Sequence, residues 1–453
     1  MYCIIFIINF EGVVMSKNKF SSKWGFILTA VGSAVGMANV WGFPYKLTEN
    51  GGGAFLIVYL NFIAIFSYVG LSAEYAIGRR AGTGTIGAYE YAWRIRGLGK
   101  LGRLLGYLPL LGSLCISIGY AVIISYVFKS LFQSITGSIM TVEPQSWFEG
   151  FSLKDFSVIP YHLIVVILTL LTCVTGAKSI EKVNRFMMPM FFVLFLVLAV
   201  RVFFLNDAIL GYEFLFKPDW SILKEPRVIV AAMGQAFFSL SITGSGMIVC
   251  GAYLNKSEDI VDGAKKTGIF DTIAAMVAAI VIVPAVFSFG KSQAGGPGLL
   301  FVTLPGILQT MPGGRIFAII LFTAVLFGGI SSMQNMYEVV CESLMHVYPK
   351  LSRKLTLVLI GIVCFIPGVF MEAISSWGPW MDFVSIYIIP IGATIGAISW
   401  FWILPKSELL DEINTKDDKK VMYSDTWYFI GKYIYTLLAL IICIIALVFK
   451  IAF

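Results

Sequence analysis

Asn39, Ser239 and Asp271 each place an oxygen-bearing side chain inside a long apolar stretch, and Ser331–Ser332 add a pair of hydroxyls inside another. These residue types can hold a hard cation, since Na⁺ favours oxygen ligands much as Ca²⁺ and Mg²⁺ do. Asp271, in GIFDTIAAMVAA, carries the most weight. A carboxylate in hydrocarbon is costly and marks an ion or proton site unless it is salt-bridged near a helix end. Glu74, in GLSAEYAIG, is similar but closer to the end of its stretch, so a structural role is equally open. Asp382 follows WGPWM and could gate or merely cap. A serine pair in an apolar helix most often bonds back to the helix's own carbonyls. Cation ligation is the competing role for Ser331 and Ser332.

The elements around these residues sharpen the choice. The stretch GSAVGMANVWGFPYKLTENGGGAF, residues 32–55, is of transmembrane length yet a poor helix at its centre. Gly32, Ser33, Gly36, Asn39, Gly42 and Pro44 fall within about three turns. Lipid offers no hydrogen-bond partners, so a weakened membrane helix leaves carbonyls and amides free, tolerated where they line a cavity. There they can bind a cation or a charged solute. A second interruption, QAFFSLSITGSG, spans Gln235 to Gly246.

Composition fixes the setting. The chain is 58% hydrophobic and 13% charged, with a mean hydropathy of +0.86. That composition belongs to a polytopic membrane protein, all-α in class. The net charge of +7 does not point to nucleic acid, because the basic residues sit in loops between apolar runs. Seven cysteines are scattered singly, without C-x-x-C or Cys/His clustering, so neither zinc nor a disulfide framework is indicated. No nucleophile elbow, P-loop or H-E-x-x-H occurs, so the chain does not read as an enzyme.

Apolar runs of transmembrane length lie at 25–48, 52–78, 104–133, 158–176, 185–205, 228–254, 267–290, 316–347, 354–373, 379–404 and 426–450. That is eleven transmembrane helices. Lys and Arg concentrate in alternate loops: Lys17, Lys19 and Lys23; Arg79 to Arg103; Lys178, Lys182 and Arg185; Lys350, Arg353 and Lys354. The positive-inside rule places the N-terminus in the cytoplasm and the C-terminus outside. The interruptions fall in the first and sixth spans, each the first of five. This predicts a 5+5 inverted repeat with the solute held between the two breaks. The expected divisions are 1–24, a cytoplasmic segment; 25–205 and 206–404, the two repeats; 405–425, a cytoplasmic loop; and 426–453, the eleventh helix. Residues 1–14 lack the features of a signal peptide, and Met15 opens a polar start, so translation from Met15 is expected. Segment 294–313 reads as a short external hairpin.

The motifs together resemble the neurotransmitter:sodium symporter family: GSAVGMANVWGFPYKLTENGGGAF, EYAIGRRAG, QAFFSLS and the serine pair of GGISSMQN. The resemblance covers nearly the whole span region and implies the LeuT-type fold with broken helices 1 and 6. The eleven-span form is similar to bacterial tyrosine or aromatic amino-acid symporters. Two sodium sites are implied. The first uses the Ala34 carbonyl, Asn39, Ser239, Asp271 and the substrate carboxylate. The second uses carbonyls of Gly32, Val35 and Gly328 with the hydroxyls of Ser331 and Ser332. A fixed carboxylate at Asp271 supplies the negative charge that chloride-dependent relatives recruit, so chloride is not expected. The implied substrate pocket comprises Ser33, Ala34, Met37, Ala38, Ile116, Tyr120, Phe238, Ser239, Ser241, Gly244 and Ser332. Monoamine-transporting relatives carry an Asp at the position of Gly36, so its absence fits an amino-acid substrate. Relatives for small aliphatic substrates carry a Phe aligned with Gly244, so glycine there is expected to enlarge the pocket for an aromatic side chain.

The gates depart from the family pattern. The outer-gate Arg is replaced by Gly42, while its partner remains as Asp382; Lys46, one turn on, is the candidate substitute. The inner-gate Arg and Trp correspond to Lys17 and Phe20, and their acidic partner to His346, with Glu342 one turn earlier. The expected function is sodium-coupled symport of an amino acid across a bacterial plasma membrane by alternating access. A proton-coupled symporter and a transporter-like receptor or channel are the alternatives.

Overall fold

The computed structural model describes residues 19–290, 296–415 and 423–451. Among them the chain is helical, with no strand. In chain order the helices are α1 Lys23–Ala34, α2 Ala38–Glu49 and α3 Gly53–Ala81. They continue as α4 Thr85–Arg94, α5 Gly99–Thr136, α6 Pro144–Ser152, α7 Ile159–Thr172, α8 Ala177–Phe203 and α9 Ala208–Phe216. Then come α10 Pro226–Ser239, α11 Ile248–Ala252, α12 Ile260–Ser288 and α13 Leu299–Thr310. The last are α14 Gly314–Val347, α15 Arg353–Val369, α16 Ile374–Ile403, α17 Lys406–Asn414 and α18 Asp425–Phe449.

Seven of these helices are long and apolar enough to cross a membrane, and α1 with α2, bent by 61° at the break, makes an eighth. Each of the eleven apolar runs coincides with helix. Three of them, however, fall short of a standard span: α7 has 14 residues, α15 has 17, and the sixth is divided between α10 and α11. Length alone therefore does not yield the expected count of eleven. Residues 299–310 form one continuous apolar helix rather than a hairpin. Phe301 explains why: it stacks on Phe148 at 5.4 Å and meets Tyr126 at 5.7 Å, which holds the segment against the bundle. The loop expected over 405–425 contains α17, whose Glu412 pairs with Arg79 on α3 at 2.5 Å. Six cysteines among the described residues are free thiols. The expected start at Met15 and the inner-gate candidate Lys17 lie outside the described residues.

Both breaks have local causes. At the first, Val35 turns extended (φ −69, ψ 112) and the chain resumes its helix only at Ala38. At the second, residues 240–247 leave the helix, with Ser241 at φ +53 and Gly244 at φ +74. Left-handed backbone is accessible to glycine without penalty, whereas Ser241 must be held there by its surroundings. α11, the second part of the divided sixth span, packs closely on α3. A Cβ on Gly78 would overlap the Ile248 carbonyl oxygen, and one on Gly251 would overlap the Tyr75 backbone. Small residues at such crossings let helix backbones touch where lipid supplies no hydrophobic drive.

Adding bulk at this contact is expected to be costly: Gly251→Leu should destabilise by about 1–3 kcal/mol or more. A lower melting temperature and loss of the monodisperse gel-filtration peak in detergent are the readouts. Gly378→Ala, at a position with nothing within 4 Å, should leave both unchanged.

Candidate functional site

The breaks in the two divided spans face each other, and the polar groups they free are met by side chains from other helices. Asn39, at the start of α2, points its amide at Asp271 on α12. Its Nδ2 donates to Asp271 Oδ1 at 2.8 Å, to the Asp271 carbonyl at 3.2 Å and to Ser239 Oγ at 3.3 Å. Ser239, the last residue of α10, donates to Asp271 Oδ2 at 2.7 Å. Asn39 Oδ1 accepts from the Gly36 amide at 3.0 Å, which ties the cluster to the first break. Asn39, Ser239 and Asp271 are all 0% exposed. The three expected first-site side chains are therefore together, with Ala34 buried at the end of α1.

The carboxylate of Asp271 is in contact only with neutral donors, and no ion pair among the described residues reaches it. An uncompensated buried charge carries a penalty of several kcal/mol. A cation among these oxygens removes that penalty, and Asn39, Ser239 and Asp271 are oxygen donors of the class that hard cations take.

A second cluster lies where α14 crosses the first break. Ser332 Oγ donates to the Val35 carbonyl at 2.9 Å and to the Gly32 carbonyl at 3.4 Å. Ser331 Oγ donates to the Gly328 carbonyl at 2.8 Å. Ser331 thus makes the ordinary back-bond of a helical serine, whereas Ser332 reaches across to another helix. A Cβ on Gly328 would stand 3.8 Å from the Val35 oxygen, and one on Gly32 would stand 3.1 Å from Ser331 Cβ. All five expected second-site residues are thus brought together, and Gly32 is the glycine that the close approach requires.

Between the clusters is a cavity. Of the expected pocket residues, Ser33, Ala34, Ala38, Ile116, Tyr120, Phe238, Ser241 and Ser332 line it. Tyr120 OH accepts from the Met37 amide at 2.8 Å. The Met37 amide, freed at the first break, is thus met by the Tyr120 hydroxyl. Ser33 Oγ is buried and has no partner. Met37 and Ser239 do not line the cavity: Ser239 belongs to the Asp271 cluster, and Met37 is buried against Gly329.

Gly244 requires a correction. It does not line the cavity. A Cβ there would stand 2.5 Å from the Gly392 carbonyl oxygen and 2.7 Å from Tyr89 OH. Its glycine serves a positive φ and close packing on α16 rather than pocket volume. The cavity wall is formed instead by Thr243 and Gly246. Sequence reasoning also missed Ser113, Asn335 and Met336, which line the cavity. Asn335 had a readable signal: it is an intramembrane amide one turn beyond Ser332, and it donates to the Gly246 carbonyl at 2.8 Å. Ser113, which bonds Ser245 at 2.6 Å, had none.

Glu74 has a structural place. Its Oε1 accepts from the Gly244 amide at 2.8 Å and its Oε2 from the Met247 amide at 3.2 Å, so it holds the second break from α3. The gate residues are not assembled. Asp382 is exposed, and no ion pair among the described residues joins it to Lys46. Phe20 is buried between Phe26 and Tyr253. Glu342 accepts from Thr83 at 2.9 Å and Gly84 at 2.5 Å, and His346 stands 3.8 Å from Glu90.

Comparison with known proteins agrees with this geometry. The profile of the sodium:neurotransmitter symporter family matches residues 17–149 and 148–452. A sodium-dependent transporter of Bacillus subtilis, YhdH, is 30% identical over 94% of this chain and 98% of its own length. A canine sodium- and chloride-dependent taurine transporter is 27% identical over 76% of this chain and 63% of its own. The crystal structure of MhsT in complex with L-phenylalanine superposes with a TM-score of 0.84 at 32% identity, covering 95% of this chain and 99% of MhsT. The chain belongs to the sodium:neurotransmitter symporter family. It is a multi-span membrane transporter and not an enzyme, and its all-helical fold with divided first and sixth spans is the one expected.

The role of Glu74 in holding the second break is open to test. Glu74→Leu leaves two loop amides without an acceptor, at about 1–3 kcal/mol each. Its melting temperature should fall well below that of wild type, and Glu74→Gln, which keeps one acceptor oxygen, should lie between them.

Proposed function

We propose that this protein couples the inward movement of Na⁺ to uptake of an amino acid, by alternating access across a bacterial plasma membrane. On this reading the basic loops favour a cytoplasmic N-terminus and an external C-terminus. The observation that carries this reading is Asp271, a fully buried carboxylate bonded only to Asn39 and Ser239, whose chain neighbours Ala38 and Phe238 line the cavity. Na⁺ at that cluster would compensate Asp271 and the substrate carboxylate together. Each ligand would then raise the affinity for the other, and such coupling is reciprocal. A second Na⁺ is assigned to Gly32, Val35, Gly328, Ser331 and Ser332.

The carboxylate end of the substrate is assigned to the Met37 amide and Tyr120 OH, which would exchange their mutual bond for bonds to the ligand. The ammonium end faces Ser33, Ser241 and the carbonyls at the two breaks. An aromatic amino acid is favoured as substrate because the cavity lining includes Gly246, which has no side chain, together with Phe238. The likeness to MhsT, which was solved with L-phenylalanine, supports the same choice. Proton coupling is the competing reading, because a buried carboxylate without a counter-ion is also a proton acceptor.

Uptake into proteoliposomes separates them. An inward Na⁺ gradient should drive accumulation, and replacing Na⁺ by choline at fixed pH should abolish it; uptake that persists in choline and follows a proton gradient would overturn sodium coupling. Asp271→Ala should reduce sodium-driven uptake by roughly 100-fold, the loss of a charge-assisted contact worth about 3 kcal/mol. Uptake should run at full rate with gluconate in place of chloride, since Asp271 supplies the fixed negative charge. In a competition panel, tyrosine, phenylalanine and tryptophan should displace labelled substrate at lower concentration than alanine or glycine. The reverse order would exclude the aromatic assignment.

A further inference from the structure

Asn184 on α8 is a buried amide with nothing to bond. The residue is 1% exposed, and neither Oδ1 nor Nδ2 has a hydrogen-bond partner. Such groups are rare in native interiors, because the lost hydration is not replaced. The side chain reaches α1 at the second oxygen cluster. Its Oδ1 stands 3.0 Å from the point a Cβ on Gly32 would occupy, and Ser331 Cβ stands 3.1 Å from the same point. Asn184 and Ser331 therefore flank Gly32, whose carbonyl is already engaged by Ser332 at 3.4 Å.

The seam around it points the same way. A Cβ on Gly25 would collide with the side chain of Glu181, one turn before Asn184. Gly25, Thr29 and Gly32 fall at helical spacing on one face of α1, opposite Glu181 and Asn184 on α8. Thr29 Oγ1, in the middle of that face, is likewise buried and unpartnered. Two unmet polar side chains thus adjoin the cluster of Gly32, Val35, Gly328, Ser331 and Ser332.

We propose that Asn184 is a further oxygen donor to the cation at this second cluster, supplied by α8. The proposal rests on the sodium-symport reading above. In the structure the two serine hydroxyls are engaged by the cluster's own carbonyls, Ser331 on Gly328 and Ser332 on Val35. An incoming Na⁺ must turn both protons away before it can use those oxygens. The amide oxygen of Asn184 carries no proton and is an uncharged oxygen ligand of the class hard cations take. It also links α8 to the ion, so that release of the cation loosens the contact between α8 and α1.

The test is thermal unfolding of the detergent-purified protein, without substrate, titrated with NaCl against choline chloride at constant ionic strength. A ligand bound only to the folded state raises the melting temperature by mass action. Asn184→Leu removes the oxygen at similar volume. Its melting temperature in choline should equal or exceed that of wild type, since no bond is lost, while the Na⁺ concentration for half-maximal stabilisation rises roughly tenfold. Asn184→Asp restores an oxygen and should return that concentration to the wild-type value or below. An unchanged titration in Asn184→Leu would overturn the proposal, as would an equal rise in Asn184→Asp, which would mark a packing role. A wild-type protein indifferent to Na⁺ would overturn the symport reading, and this proposal with it.

Discussion

The structure depends on one constraint: backbone groups freed at membrane depth must be met by side chains, since lipid cannot meet them. Two helices are divided, at residues 35–37 and 240–247, and each break is held by polar groups from elsewhere. Asn39 takes the Gly36 amide, Tyr120 takes the Met37 amide, and Ser332 takes the Val35 carbonyl. Glu74 takes the amides of Gly244 and Met247, and Asn335 bonds the Gly246 carbonyl. The breaks also meet directly, through Ser241 Oγ on the Ser33 carbonyl at 3.3 Å and Gln235 on the Ala38 carbonyl at 3.3 Å. The cavity exists because these supports keep two helix ends apart without leaving their backbones bare.

Charge is handled differently at the ends of the bundle and at its centre. Arg79 and Glu412 are both buried, and the guanidinium also bonds the carbonyls of Asn255, Glu258, Glu412 and Thr415. Arg353 pairs with Glu338 and fills its remaining donors on the Cys173 carbonyl, while Tyr253 also reaches Glu338. Those pairs are saturated, which is what makes a buried ion pair tolerable. Asp271 has two neutral neighbours and no cation. Glu74 and Glu342 are also held by neutral donors alone, the amides of Gly244, Met247 and Gly84 and the Thr83 hydroxyl. Asp271 differs in being held by Asn39 and Ser239, whose chain neighbours Ala38 and Phe238 line the cavity.

Much of this was legible in the sequence. Apolar runs located the helices, because a membrane-length run has few alternative structures, but the helices starting at Ala177 and Ile260 extend well ahead of the runs at 185–205 and 267–290. Gly32, Gly36 and Pro44 announced the first break, and the Gly/Ser/Thr run after Ser239 announced the second. Asp271 and Ser331–Ser332 stood out because polar side chains in apolar helices are costly. The errors share a cause. Glycine at 244 reads as opening the pocket, but whether a missing side chain enlarges a cavity or admits a neighbouring backbone depends on α16, 148 positions away at Gly392. Gly and Pro scattered through 294–313 predict a hairpin, and packing of Phe301 on Tyr126 and Phe148 overrides that local signal over residues 299–310. Asn184 carries no motif at all; only its unmet amide in three dimensions distinguishes it.

The pattern of satisfied and unsatisfied groups bears on the order of loading. The substrate's proposed anchors are already paired with each other, Met37 with Tyr120. Seating a carboxylate there exchanges one set of hydrogen bonds for another, and such exchanges contribute only about 1 kcal/mol each. The cation clusters are not in that position, because Asp271 lacks a counter-charge and Asn184 lacks any partner. Cation entry therefore has the larger unmet interaction to satisfy, and it also removes the repulsion a second carboxylate would feel beside Asp271. On this physical ground the proposed symport cycle loads Na⁺ before the amino acid. The free energy of the gradient is then felt where the fold has left a charge open, and the substrate pocket can remain weak on its own and tight only when the ions are in place.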